Sequence, residues 1–183
     1  EEYLQSINKD YISTREPGGT PLGEDVRKIL LSQDRKMFMS QYTELTLFLA
    51  SRSQHIEQVI LPAIQSNKIV LCDRFNDSSV AYQGHARGLG MDIVKQFCSF
   101  ISQGLEPDLT FYLDLDPEIG LFKRKKRDEH DRIEAEEINF HNKIRDGFLI
   151  IAKNNPTRFH VIDARQTKEE VFEEVISSIK QFL

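Results

Sequence analysis

The chain has 183 residues, 29 acidic and 24 basic, for a formal net charge of −5. That balance, with a pI near 5.6, argues against broad binding to nucleic acid or to anionic membranes. No apolar run approaches the roughly 20 residues of a membrane span, and Cys72 and Cys98 sit in apolar runs as expected for buried reduced thiols. The expectation is one soluble, cytoplasmic domain.

In chain order, Tyr3, Leu4 and Ile7 recur at helical spacing, so the chain is expected to open inside a helix. A short strand follows at Tyr11 to Thr14, closed by the breaker pair Pro17-Gly18. Next stands Thr14-Arg15-Glu16-Pro17-Gly18-Gly19-Thr20-Pro21-Leu22-Gly23-Glu24. Gly18 and Gly23 have the spacing of a phosphate-binding P-loop, which then requires Lys and Ser or Thr. Glu24 and Asp25 occupy those places, and their carboxylates would repel phosphate. No other segment fits a P-loop.

Asp25 to Leu31 reads as a short helix with Val26, Ile29 and Leu30 inward. A long helix is expected from Tyr42 to Gln65, strained or ended near Pro62. Phe48 and Arg52 are four apart and share a face of it. Pattern alone makes Phe48 a core residue, but an arginine one turn away requires a partner or a polar cleft.

Ile69 to Cys72 is too short for a helix and suits a strand buried on both faces. Asp73 and Arg74 stand where that strand leaves the core, at the carboxyl end where open α/β sheets hold their ligands. A turn-like segment then brings Ser78, Ser79, Tyr82 and Gln83 together among Gly84, Arg87, Gly88 and Gly90. Helices are expected at Met91 to Ser102, from Pro117, at Glu136 to Lys153 and at Lys168 to Phe182. Strands are expected at Leu109 to Leu115 and Phe159 to Ile162. The alternation argues for a parallel sheet flanked by helices. The charge run Lys123 to Arg132 reads as a solvated loop.

The site chemistry must use what the chain contains. A Cys/His metal set, a Gly-x-Ser-x-Gly elbow and a G-x-G-x-x-G turn are all missing from the sequence. His55, His85 and His141 have no evident acid partner. Arginines beside glycine-rich turns, an aromatic and small hydroxyls suit phosphoryl transfer between nucleotides. A monophosphate is already ionised, so the work is positioning and charge neutralisation.

Three ordered motifs resemble thymidylate kinase. These are Thr14 to Thr20, the stretch Asp73-Arg74-Phe75-x-x-Ser78-Ser79-x-Ala81-Tyr82-Gln83-Gly84 with Arg87-Gly88, and Asp131-Arg132-Ile133-Glu134-x-Glu136 with the helix after it. The resemblance spans Thr14 through Ala164. It implies a three-layer P-loop-kinase fold over residues 1–183, transferring phosphate from MgATP to dTMP to give dTDP and ADP for dTTP synthesis. A mobile lid at 123–136 and a homodimer through helix 42–65 are implied, with no nucleic-acid or membrane partner.

Carried over by position, Phe48 stacks on thymine, Arg52 meets its O4, and Ser79 and Gln83 read the base edge. Tyr82 packs against the sugar. Arg27 and Arg74 hold the monophosphate, with Glu16 and Asp73 organising water, Mg²⁺ and these arginines. Arg124, Arg127 and Arg132 close over ATP, and Arg165 with Ile162 to Ala164 flanks adenine. The family's opening strand and P-loop are not in the sequence. The resemblance therefore implies a central strand missing between those at Ile69 and Leu109, and an open slot there. An inactive dTMP-binding fragment, or a related deoxynucleotide kinase, are the alternatives.

Overall fold

A computed structural model describes residues 1–34, 38–124 and 131–183. The elements are α1 (Glu2–Ser6), β1 (Tyr11–Arg15), α2 (Pro21–Leu31), α3 (Gln41–His55), α4 (Leu61–Gln65), β2 (Ile69–Asp73), α5 (Asn76–Ser79) and α6 (Met91–Ile101). They continue as β3 (Thr110–Asp114), α7 (Pro117–Arg124), α8 (Ile138–Asn154), β4 (Phe159–Asp163) and α9 (Lys168–Phe182). Parallel strands flanked by helices are the expected α/β architecture.

β1 pairs with β2, with Arg15 opposite Asp73, and β3 pairs with β4, with Asp114 opposite Asp163. Among the described residues these are two separate two-stranded sheets, and β2 does not pair with β3. Ile69 to Cys72 are half-buried, not enclosed on both faces as expected. With one strand neighbour, β2 has a single covered edge. Cys98 is buried, Cys72 is half-buried, and both are free.

The long helix is continuous but changes register. Ile56–Ile60 forms a π segment in which the Leu61 N–H reaches the Ile56 carbonyl, and α4 follows directly. Proline cannot donate the next helical hydrogen bond, and this widened turn carries the chain past Pro62 without a break. The segment expected to be turn-like is also helical: α5 runs into a second π segment, Val80–Ala86. Gly84 allows its closeness to α6, since a Cβ there would lie 3.1 Å from Met91 Cα.

α2 begins earlier than expected because the Thr20 hydroxyl caps it, accepting from the Gly23 N–H at 3.0 Å. Ile29 points outward, 44% exposed, while Val26 and Leu30 are buried. The main core joins Leu45 and Leu49 of α3, Val80, Ala81 and Ala86, Val94 and Cys98 of α6, Ile144, Phe148 and Ile151 of α8, and Phe159. It fixes α3, the second π segment and α8 against one another, and the first two carry Phe48, Arg52, Tyr82 and Gln83.

Candidate active site

The parallel register of β1 and β2 brings their carboxyl ends together, and the Glu16 N–H donates to the Asp73 carbonyl at 2.9 Å. Glu16 is 3% exposed, so its charge requires partners. Arg52 Nε donates to Oε2 at 2.7 Å, and His55 Nδ1 lies 3.0 Å from Oε1. A carboxylate only accepts, so His55 donates from Nδ1; its Nε2 lies 2.7 Å from Thr14 Oγ1. Glu16 thus orients the arginine, with both its oxygens already engaged. His55, expected to lack an acid partner, has one that stands 39 residues away in sequence.

Arg52 is itself only 2% exposed. Its Nη1 donates to Ser79 Oγ at 3.0 Å, and its guanidinium carbon lies 5.3 Å from the Phe75 ring centroid. This is the partner that an arginine one turn from Phe48 requires. Phe48 is half-buried on the same helix.

The loop before α2 closes on itself. Gly19 N–H donates to Glu24 Oε1 at 3.1 Å, and Arg15 reaches the same carboxylate at 3.2 Å. The Gly19 amide, then Arg15, draw the Glu24 carboxyl below its ordinary value despite some opposing burial. A loop amide that in a P-loop would face phosphate is taken by a side-chain carboxylate. Gly19 sits at φ +77°, where an added Cβ would lie 2.6 Å from the His55 ring. Arg27 donates to the Pro17 carbonyl at 3.0 Å, which ties α2 to this loop.

Arg74 leaves β2 at φ +68°, a backbone conformation uncommon for a side-chain-bearing residue and often associated with functional sites. Its guanidinium carbon lies 5.2 Å from the Tyr82 ring centroid, and Nη1 donates to the Tyr82 hydroxyl at 3.0 Å. Tyr82 in turn packs edge-on against Phe140 and Phe148. Asp73 is exposed beside it.

A second buried carboxylate escaped the sequence analysis. Glu44, 2% exposed, accepts from Gln83 Nε2 at 2.9 Å, from Arg87 Nε and Nη2 at 3.2 and 3.1 Å, and from Arg132 Nη2 at 2.6 Å. Burial pushes its carboxyl up, but hydrogen bonds from Arg87 and then Gln83 draw it below the ordinary value. Arg132 also donates from Nε to the Leu30 carbonyl at 2.9 Å. Arg132, at the end of the charge run read as a solvated loop, instead meets an acid 88 residues away. Arg124 ends α7, and its side chain, like Arg127, lies outside the described residues. Arg165 is folded onto Asp163, with Nη2 to Oδ2 at 2.7 Å, and these bonds draw the Asp163 carboxyl to about 2. The pair is exposed at the end of β4.

The structure therefore gathers Glu16, Arg27, Phe48, Arg52, Asp73, Arg74, Ser79, Tyr82 and Gln83 around the ends of β1 and β2 and the face of α3. Arg132 joins them through Glu44, and Arg165 stands at the end of the other sheet. The signal for Glu44 was available as an acidic residue at a helical position otherwise suited to the core.

The sequence profile described as thymidylate kinase matches residues 1–175. A thymidylate kinase of Clostridium novyi is 44% identical over 182 residues, 98% of this chain and 88% of that protein. One from Thermoanaerobacter sp. is 46% identical over 183 residues, 100% of this chain and 89% of that protein. Among solved structures, a thymidylate kinase from Ehrlichia chaffeensis superposes with a TM-score of 0.75 at 35% identity, covering 97% of this chain and 86% of that one. With this fold, this site and likeness along almost its whole length, the chain belongs to the thymidylate kinase family of nucleoside monophosphate kinases.

Proposed function

We propose that this site binds dTMP as phosphoryl acceptor and uses MgATP as donor, giving dTDP and ADP for dTTP synthesis. The observation that carries this reading is Arg52, a buried cation held by Glu16 and Ser79 one helical turn from half-buried Phe48. A donor-only group fixed beside an aromatic ring suits a keto oxygen, such as thymine O4, on a base stacked there. Ser79 and Gln83 read the rest of the base edge, and Tyr82 packs against the sugar. Arg27 and Arg74 hold the monophosphate. Arg74, Arg127 and Arg132 neutralise the transferring group, and Arg124 and Arg165 contact ATP.

The Mg²⁺ that accompanies ATP would, when bound, supply charge neutralisation at the phosphates. Mg²⁺ uses one or two carboxylates beside substrate phosphates, and exposed Asp73 at the strand end fits that donor set.

Residues 123–136 act as a lid over ATP; of these, 125–130 lie outside the described residues. A strand taken up between β2 and β3 would pair with both and make one sheet; the separateness of the two sheets supports this. A phosphate cradle at the end of such a strand would supply what Glu24 and Asp25 cannot. A second copy docks along α3: Leu22 and Ile29 of α2 and Ile93, Phe97 and Phe100 of α6 are exposed apolar residues on the helices packed against it. No described helix is long and apolar enough to cross a membrane, and the reading remains a cytoplasmic enzyme without a nucleic-acid partner.

Calorimetric titration of the chain with dTMP and thymidine tests the proposal. dTMP should bind well and thymidine far more weakly, and Phe48→Ala should cost dTMP about 1–3 kcal/mol. Equal affinity for the two ligands, or a Phe48→Ala variant that binds dTMP unchanged, would remove the basis for it.

A further inference from the structure

Gln83 is 1% exposed, and its side-chain amide has two chemically different ends. Nε2 donates to Glu44 Oε1 at 2.9 Å. A carboxylate can only accept, so the nitrogen must face Glu44 and Oε1 must face the other way. Among the described residues no hydrogen bond is made to that carbonyl oxygen, and it is not one of the fully enclosed polar atoms left without a partner, so it meets open space rather than packed protein. An open acceptor on a side chain that is otherwise buried is free to take a donor from a ligand.

Glu44 cannot easily release the amide, because its own position is over-determined. Arg87 holds both its oxygens, Arg132 holds Oε2, and Arg87 is fixed in turn by Glu136 at 2.6 Å and by the Phe140 ring 4.1 Å below its guanidinium carbon. One carboxylate thus links α3, the second π segment and the segment at Arg132 to a single orientation of Gln83.

We propose that Glu44 is a specificity-determining positioning residue: by locking the Gln83 amide with its oxygen toward the base, it makes the site select pyrimidines that carry an N3–H. This rests on the reading of the site as a dTMP site. Thymine and uracil present O4 as acceptor and N3–H as donor, matching the donors of Arg52 and the acceptor of Gln83. Cytosine presents the reverse, an amino group at C4 and a lone pair at N3, and would set donor against donor and acceptor against acceptor. On the choice of base Glu44 acts through Gln83.

The test is direct binding of dTMP, dUMP and dCMP to the full chain and to Glu44→Gln, Gln83→Leu and the double variant. The unmutated chain should prefer dTMP and dUMP over dCMP by at least about tenfold. In Glu44→Gln the residue can offer either amide end, so Gln83 can invert, and the preference should fall by about tenfold. In the Gln83→Leu background the same change should alter it no further, which a general loosening of the site would not reproduce. A folded Glu44→Gln variant with its preference intact overturns the proposal, as does an equal loss in the Gln83→Leu background. Equal binding of dCMP and dTMP by the unmutated chain overturns it even if Glu44→Gln does not fold. Absence of binding by all three monophosphates would instead remove the dTMP reading itself.

Discussion

Replacing Glu16 by Gln tests the charge arrangement where β1 ends beside α3. Both Glu16 oxygens are engaged, one by Arg52 at 2.7 Å and one by His55 at 3.0 Å, and Arg52 is 2% exposed. The amide keeps the shape but removes the charge, and its single carbonyl can serve only one of the two donors. Breaking a buried pair so that one ion is left behind costs about 3–5 kcal/mol. A chain of this size loses about 2–4 °C of midpoint per kcal/mol, so the variant should melt about 6–20 °C lower. Asp163→Asn provides the contrast, because Asp163 and Arg165 form the same kind of pair in solvent, and its melting midpoint should not move measurably. Thermal unfolding followed by circular dichroism on both variants decides the matter. A Glu16→Gln midpoint within about 2 °C of the unmutated chain would refute the claim that Arg52 depends on this carboxylate.

Three other outcomes follow from single features. Glu44 has a folded-state carboxyl held below its ordinary value of 4.5, so its contribution to stability is complete above that pH and is lost as pH falls through the lowered value. Urea midpoints measured from neutral pH downward should therefore fall less steeply in Glu44→Gln, and parallel acid limbs would contradict this. Gly147 lets α8 lie close to the second π segment, since an added Cβ would stand 3.1 Å from both Ala81 Cα and His85 Cβ. Gly147→Ala should cost about 1–3 kcal/mol by overpacking, and a variant as stable as the parent would show that the helices can part freely. Arg74→Lys exchanges a planar fork for a point charge; it should weaken dTMP binding while leaving thymidine binding nearly as it was, and a matched loss for both ligands would place its role outside phosphate recognition.

The sequence by itself determined the elements whose signals are local. A short run closed by Pro17-Gly18 marked β1, an apolar run too short for a helix marked β2, and Asp73-Arg74 could be placed at a strand's ligand end because strand direction follows from chain order. The motif around Ser79, Tyr82 and Gln83 was legible as chemistry although its π-helical backbone was not, since glycines and hydroxyls resemble a turn until α6 and α8 pack against them. Only the tertiary structure decided the charge partners. Arg52 finds Glu16 at a separation of 36 residues, Gln83 finds Glu44 at 39, and Arg132 finds the same carboxylate at 88. No periodicity encodes such pairs, because they form where helices and strands from distant stretches meet in a space that excludes water. In that space an unpaired charge costs more than almost any single contact supplies, so the fold must bring each buried acid to its arginine, and through that pairing it sets which end of the Gln83 amide faces Glu44.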